Sequence, residues 1–364
     1  MTKYFTPSSQ LPLDFSGYFE KHLDKSFNPL MRLKESFNFE DYRQLLTALL
    51  ERNKPKKLCS SGRRPMDPIF MLKVLFLQRL FGQSDNEFEK TMTADLRVML
   101  FLDVYNSEEA PDAKTIWKYR ELFSRLQVFE QLFDFDLESI RSQDVRVGEE
   151  IVAIDSSFME APKQRNSREE NKIIKQGNGN QLWSDKPHKK RHKDIDARWT
   201  KKRQQSHYGY KLHTTVCLLS KFITDIYVTS ANVHDAPAAE KLIKNLTLRE
   251  DVLATPDHEY DFSAPKLLAD AGYVGPTIEN LVYDRGWMPM ICQKGSRNNP
   301  LSEEQKKENR RISSVRCRIE HVFGLIEGAF KGLVTRAIGI NRAMEIGALT
   351  AWVYNRYRYY QLTS

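Results

Sequence analysis

Apolar residues recur at helical spacing through the first 145 residues. In 39–50 the set Phe39, Tyr42, Leu45, Leu46 and Leu49 marks one face of a helix, and 69–81 is apolar almost throughout. Ser84-Asp85-Asn86-Glu87 has the spacing of a capping box, so a further helix is predicted to start at Ser84. Residues 110–132 open on Pro111-Asp112 and continue with Ile116, Trp117, Tyr119, Leu122, Phe123 and Leu126 on a helical period. Short helices joined by brief turns suit either a helix-turn-helix that reads DNA or a plain small bundle, and the pattern leaves both open.

The period changes near Val145. EIVAIDSSF (150–158) reads as a buried strand that contains a carboxylate. Residues 161–205 are polar and basic with little that could form a core, and are read as a long loop or insertion. Two β-rich runs, 208–219 and 222–229, follow as a hairpin. Then come a helix at 235–246, a strand at 266–271, a helix at 275–285 and a strand at 287–293. A second capping-box pattern, Ser302 to Gln305, opens a helix predicted to run to about Phe330, and 342–361 forms the last helix. Three antiparallel strands followed by alternating helix and strand predict an α/β domain, a mixed sheet covered by helices. The boundaries are a helical domain at 1–145 and an α/β domain at 146–364 that carries the insertion.

Charge adds to this picture. The net charge is +8, but 54–64, 186–203 and 306–318 carry +5, +7 and +5, which leaves the remainder acidic. Concentrated Lys and Arg suits a phosphate backbone. The most apolar stretch, 69–81, is interrupted by Lys73 and Arg79 and is too short to span a bilayer, and no signal-peptide pattern opens the chain. Cys59, Cys217, Cys292 and Cys317 lie far apart without a CxxC pair, which favours a reducing compartment and disfavours structural zinc. A cytoplasmic protein is expected.

Three acids occupy unusual positions. Asp155 lies inside IVAIDSSF, Asp270 ends KLLAD, and Glu320 is flanked by Ile319 and Val322 in a predicted helix. A carboxylate among apolar residues is costly unless it is paired or binds a cation. Arg198 or Arg316 could pair with Asp155, and Glu320 could be an ordinary surface acid. If the three converge at strand ends without His or Cys ligands, they make a hard oxygen site for Mg²⁺ or Mn²⁺. His207, His213, His234 and His321 have no metal-ligand spacing.

Taken together, these segments resemble a DDE transposase of the insertion sequence 5 family. The resemblance rests on GRRPMDPIFMLKVLFLQRLFGQSDNEFE and PDAKTIWKYRELF in the helical region, IVAIDSSF, KDIDARWTKKRQQSHYGYKLH, LLADAGY and RCRIEHVFG, in that order. It implies an RNase H-like catalytic domain with Asp155, Asp270 and Glu320 as the metal ligands. Arg316 matches the arginine of the family's Y-R-E-K signature and is predicted to contact a phosphate or orient the glutamate. The family tyrosine is Ser313 here and the family lysine is Glu327, with Lys331 one turn further on as a partial substitute.

The resemblance also implies binding to terminal inverted repeats and target DNA, in a homodimer or larger synaptic complex. Arg198, Trp199, Lys201, Lys202, Arg203 and Lys211, with Lys331, are the predicted DNA contacts. Trp199 either stacks on a base or anchors its loop to the sheet, and anchoring is favoured. Tyr208 and Tyr210 share one strand face as packing residues, while Lys211 points the other way. The expected reaction is cleavage at transposon ends followed by joining of the 3′-OH to target DNA. The competing readings are an RNase H-like nuclease without strand transfer and an inactive, domesticated DNA-binding protein.

Overall fold

The computed structural model describes residues 28–53, 64–143, 151–202, 204–246, 264–297 and 299–363. They form two compact units. One takes in the described residues within 1–138, 329–331 and 349–364, and the other those within 139–328 and 332–348. The basic run at 54–63 and Arg203 lie outside the described residues.

The first unit is helical: α1 (Pro29–Glu35), α2 (Arg43–Arg52), α3 (Pro68–Leu80), α4 (Asp85–Ala94), α5 (Leu96–Leu102), α6 (Ala113–Arg125) and most of α7 (Val128–Ser142). Asp67 caps α3 and is followed by Pro68 in its first turn, where a missing N–H costs nothing. The capping box at Ser84 forms as its sequence predicts, with the Ser84 amide donating to Glu87 at 2.8 Å. Helix α3 is buried on nearly every side, which explains its continuous apolar run. Phe39, Phe76 and Phe101 pack with Trp352 at the centre, the Phe76 and Trp352 rings 5.2 Å apart. Beside them lies a buried polar trio in which Tyr42 and Arg356 both donate to Asp136.

The second unit is built on one six-stranded sheet: β1 (Ile151–Glu160), β2 (Arg198–Lys202), β3 (Gln205–Cys217), β4 (Ile223–Ser230), β5 (Lys266–Ala269) and β6 (Met288–Ile291). β3 lies antiparallel to β1, β2 and β4, whereas β5 lies parallel to β1 and β6 parallel to β5. The mixed α/β architecture of the sequence reading is therefore present, RNase H-like in that antiparallel strands, β1, β3 and β4 with β2 added from the insertion, are followed by the parallel β5 and β6. On one face, Val152 and Ile154 pack with α10 (Asp235–Lys244) and α11 (Pro276–Asp284). Asp155 and Ser157 point to the other face, where α12 (Glu303–Arg316) and α13 (Arg318–Gly328) supply their partners. The last helix, α14 (Ile340–Thr363), begins in this unit, and Gly347 lets it approach Leu212 and Val228 closely. Gly209 is required in β3: its φ is +145°, and a Cβ there would fall 2.2 Å from the Met159 carbonyl oxygen.

Two expectations need correction. The helix predicted from Ser302 to about Phe330 is two helices, because α12 ends at Arg316 with Cys317 as its cap and α13 starts at Arg318. The insertion is not a loop. It holds α8 (Arg168–Lys175), the five-residue α9 (Pro187–Arg191) and β2. Its small core is Trp183, whose indole N–H donates to Glu170 at 2.6 Å, together with Ile174. Among the described residues no helix is long and apolar enough to cross a membrane.

Candidate active site

Alternation along β1 decides which side chains meet. Asp155 and Ser157 share one face of the strand, and Ser156 and Phe158 the other. β5 pairs with β1 through Ile151, Val152 and Ala153, with Ala153 opposite Leu268. The same register carried two residues further sets Asp155 level with Asp270, just past the end of β5. Ligands of open α/β sheets bind outside such strand ends.

Each acid is held differently. Asp155 Oδ1 accepts the Ser156 amide at 2.8 Å, and Oδ2 accepts Arg316 Nη1 at 3.0 Å. Asp270 caps a 3-10 turn, taking the Gly272 amide at 2.8 Å. Glu320 lies in the first turn of α13 with its side chain 64% exposed, 3.7 Å from Arg316 Nη2. Arg316 thus stands between Asp155 and Glu320. Burial pushes the Asp155 carboxyl up, and Asp270 adds to the rise. The Ser156 amide, Arg316 and Lys202 work against it.

Among the described residues, no three His, Cys, Asp or Glu side chains close into a metal cage. Asp155 and Asp270 adjoin, and Glu320 reaches them through Arg316. The donors are all carboxylate oxygens, and the two aspartates repel each other in a partly buried setting. Both properties fit a hard divalent cation.

The predicted DNA contacts fall in different settings. Lys201 and Lys202 are exposed and line a cleft of about 190 Å³ with Ser156, Ser157, Phe158, Thr200, Lys211 and Asp235. Arg198 and Lys211 are engaged within the fold. Arg198 donates to the carbonyls of Ile174, Ile195 and Ala197, and Lys211 to Asp235 at 2.9 Å and to the Val233 carbonyl at 2.8 Å. Trp199 stays 51% exposed, its ring tilted against Tyr208 at 5.1 Å. Lys331 is exposed in a left-handed turn of the first unit, with φ +54°.

The sequence reading passed over several residues of this region. Asp194 is buried and ties the insertion to the sheet, accepting Tyr210 Oη at 2.6 Å and the Ala197 amide at 2.9 Å. Asp235 gathers Lys211, Ser156 and His213 behind Asp155. The available signal was His213, a polar ring at the start of the buried half of β3, which takes Thr229 and Asp235 as neighbours.

Residues 146–356 match the family model described as Transposase DDE domain, and 18–122 match Transposase domain (DUF772). The chain belongs to the DDE transposase family. It is a DNA transposase, and its family depends on divalent metal. A solved structure similar to this transposase is described as the cryo-EM structure of a piggyBac transposase synaptic complex with hairpin DNA. The two are 10% identical, the match covers 92% of this chain and 75% of that one, and the TM-score is 0.44.

Proposed function

We propose that this transposase is of the insertion sequence 5 group and that Asp155, Asp270 and Glu320 hold Mg²⁺ or Mn²⁺. The observation that carries this reading is the Asp155–Asp270 adjacency on parallel strand ends, with Arg316 joining Asp155 to Glu320. Bound there, divalent cations would supply the Lewis acidity that in-line phosphodiester chemistry requires. The remaining work belongs to the chain. The Ser156 amide fixes one oxygen of Asp155 and Arg316 the other, and the Gly272 amide fixes one oxygen of Asp270, so both carboxylates are held in a defined orientation. Arg316, held at 15% side-chain exposure, offers its guanidinium to a phosphate oxygen beside the acids. Lys201 and Lys202 border the same strand end and bind the DNA backbone.

The reaction is hydrolysis at the transposon end, which frees a 3′-OH, and then in-line transesterification, in which that 3′-OH attacks a target phosphodiester and the target strand leaves with its own 3′-OH. Joining two ends calls for a dimer or larger synaptic complex in the cytoplasm, built on terminal inverted repeats. One observation keeps the nuclease reading in play. Glu327 stands where the family has lysine, and it accepts Ser157 Oγ at 3.1 Å on the Asp155 face. An acid there repels a phosphate that the lysine would hold. Purified protein, a plasmid carrying the gene's own flanks, and Mg²⁺ decide between them. Ends joined to new DNA support the transposase mechanism, and nicked ends that are never joined support the nuclease.

A further inference from the structure

Behind Asp155, on the opposite face of β1, lies a polar cluster that the proposed chemistry does not use. Its centre is Asp235, the first residue of α10. Asp235 Oδ1 accepts Lys211 Nζ at 2.9 Å and Ser156 Oγ at 3.2 Å, and His213 Nδ1 lies 3.8 Å away. His213 is fully buried, and its other nitrogen meets Thr229 Oγ1 at 2.8 Å. Burial works against the charged Asp235, but the Lys211 contact and charge outweigh it and hold the carboxyl below its usual range.

The position of this cluster matters more than its strength. Pairing between β5 and β1 stops at Ala153, so on the Asp270 side β5 no longer braces β1 where Asp155 stands, while β3 still pairs with it there, Asp155 opposite Thr214 and Ser156 opposite His213. Ser156 adds a side-chain tie, its hydroxyl donating to Asp235 and its amide to Asp155. Asp235 also lies near the turn that follows the second acid. Tyr273, three residues after Asp270, buries its hydroxyl without a well-aligned hydrogen bond, and burial first, then the charges of Asp155, Asp235 and Asp270, push that hydroxyl well above its ordinary range.

We propose that Asp235 is a positioning residue of the transposase, holding Asp155 at its working distance from Asp270 through Ser156. This rests on the reading of Asp155 and Asp270 as the cation-binding pair. Partners one shell behind a metal's ligands orient them, and their loss costs about 10–100-fold in metal affinity or activity. A cluster that served stability alone would change the melting temperature and leave cation affinity untouched.

The test is Mn²⁺ binding to the full-length, DNA-free protein, followed by electron paramagnetic resonance, with melting temperature measured alongside. Asp235→Asn is expected to weaken Mn²⁺ binding by about 10–100-fold, and Ser156→Ala by about tenfold, the latter without loss of melting temperature. Ser156→Thr keeps the hydroxyl and is expected to restore wild-type affinity. If Asp235→Asn fails to fold, the Ser156 pair decides alone. Wild-type Mn²⁺ affinity in Ser156→Ala, with affinity lost in Asp155→Ala, overturns the positioning role and leaves the cation site standing. Wild-type affinity in Asp155→Ala as well overturns the cation site and this inference with it.

Discussion

Arg316 and Asp155 lie 161 residues apart in sequence, and their side chains meet at 3.0 Å, 15% and 22% exposed. Arg316 supplies positive charge to a carboxyl that burial and Asp270 both push toward its neutral form. Arg316→Met is expected to destabilise the protein by about 1–3 kcal/mol, because a half-buried carboxylate loses its partner. Added Mn²⁺ is expected to stabilise the variant more than the wild type, since a cation then replaces the missing charge. Thermal melts with and without Mn²⁺ check both effects, and equal metal-induced shifts would contradict the account.

Lys201 and Lys202 have no role within the fold comparable to that of Arg198, whose guanidinium meets three backbone carbonyls. Phosphate contacts release counterions, so each lysine-to-alanine change is expected to reduce the slope of log affinity against log salt by about one. Arg198→Ala is expected instead to loosen the insertion. Fluorescence anisotropy across a salt series measures the slopes, and limited proteolysis reports the loosening.

In the helical unit, Asp136 and Arg356 are 1% and 5% exposed and form a buried ion pair that also takes in Tyr42. Asp136→Ala leaves the guanidinium buried without its carboxylate, at a cost of about 3–5 kcal/mol. The double variant with Arg356→Met is expected to recover part of this, because an apolar replacement removes the stranded charge. Urea unfolding of the two variants gives the comparison.

His213 gives stability a pH dependence. Burial pushes it down to about 4 from an ordinary 6.5, against the opposing pull of Asp235, with Lys211 adding to the fall. Lys211, Asp235, Thr229 and, by strand register, Tyr227 face it. The unfolded chain therefore takes the proton first, and the stability His213 contributes is complete above about pH 6.5 and lost as pH falls toward about 4. Melting temperatures measured from pH 7.5 to 4.5 should fall more steeply for the wild type than for His213→Gln.

Much of this architecture was legible because it is periodic. The alternation around Asp155 and the apolar run ending at Asp270 locate two strands, and helical spacing locates α3, α6 and α10. The insertion was not legible, since its helices are short and polar and a single residue, Trp183, supplies most of their core. The break at Cys317 leaves no mark either. Arg316, Cys317 and Arg318 are compatible with continuous helix, and the chain turns there without glycine or proline. Asp235 looks like an ordinary first-turn acid of a helix. Only the tertiary meeting of β1, β3 and α10 gives it Ser156, Lys211 and His213 as neighbours.

The central claim is that Asp155, Asp270 and Glu320 act as one set. It is tested most directly by comparing their three single alanine variants with the wild type on DNA carrying the gene's own ends, scoring cleavage, joining and binding in the same samples with Mg²⁺. The account predicts that each variant binds the DNA as the wild type does and neither cuts nor joins it. Cleavage and joining by the Glu320→Ala variant at wild-type rate would contradict it, and would mean that the exposed glutamate near Arg316 is a surface acid.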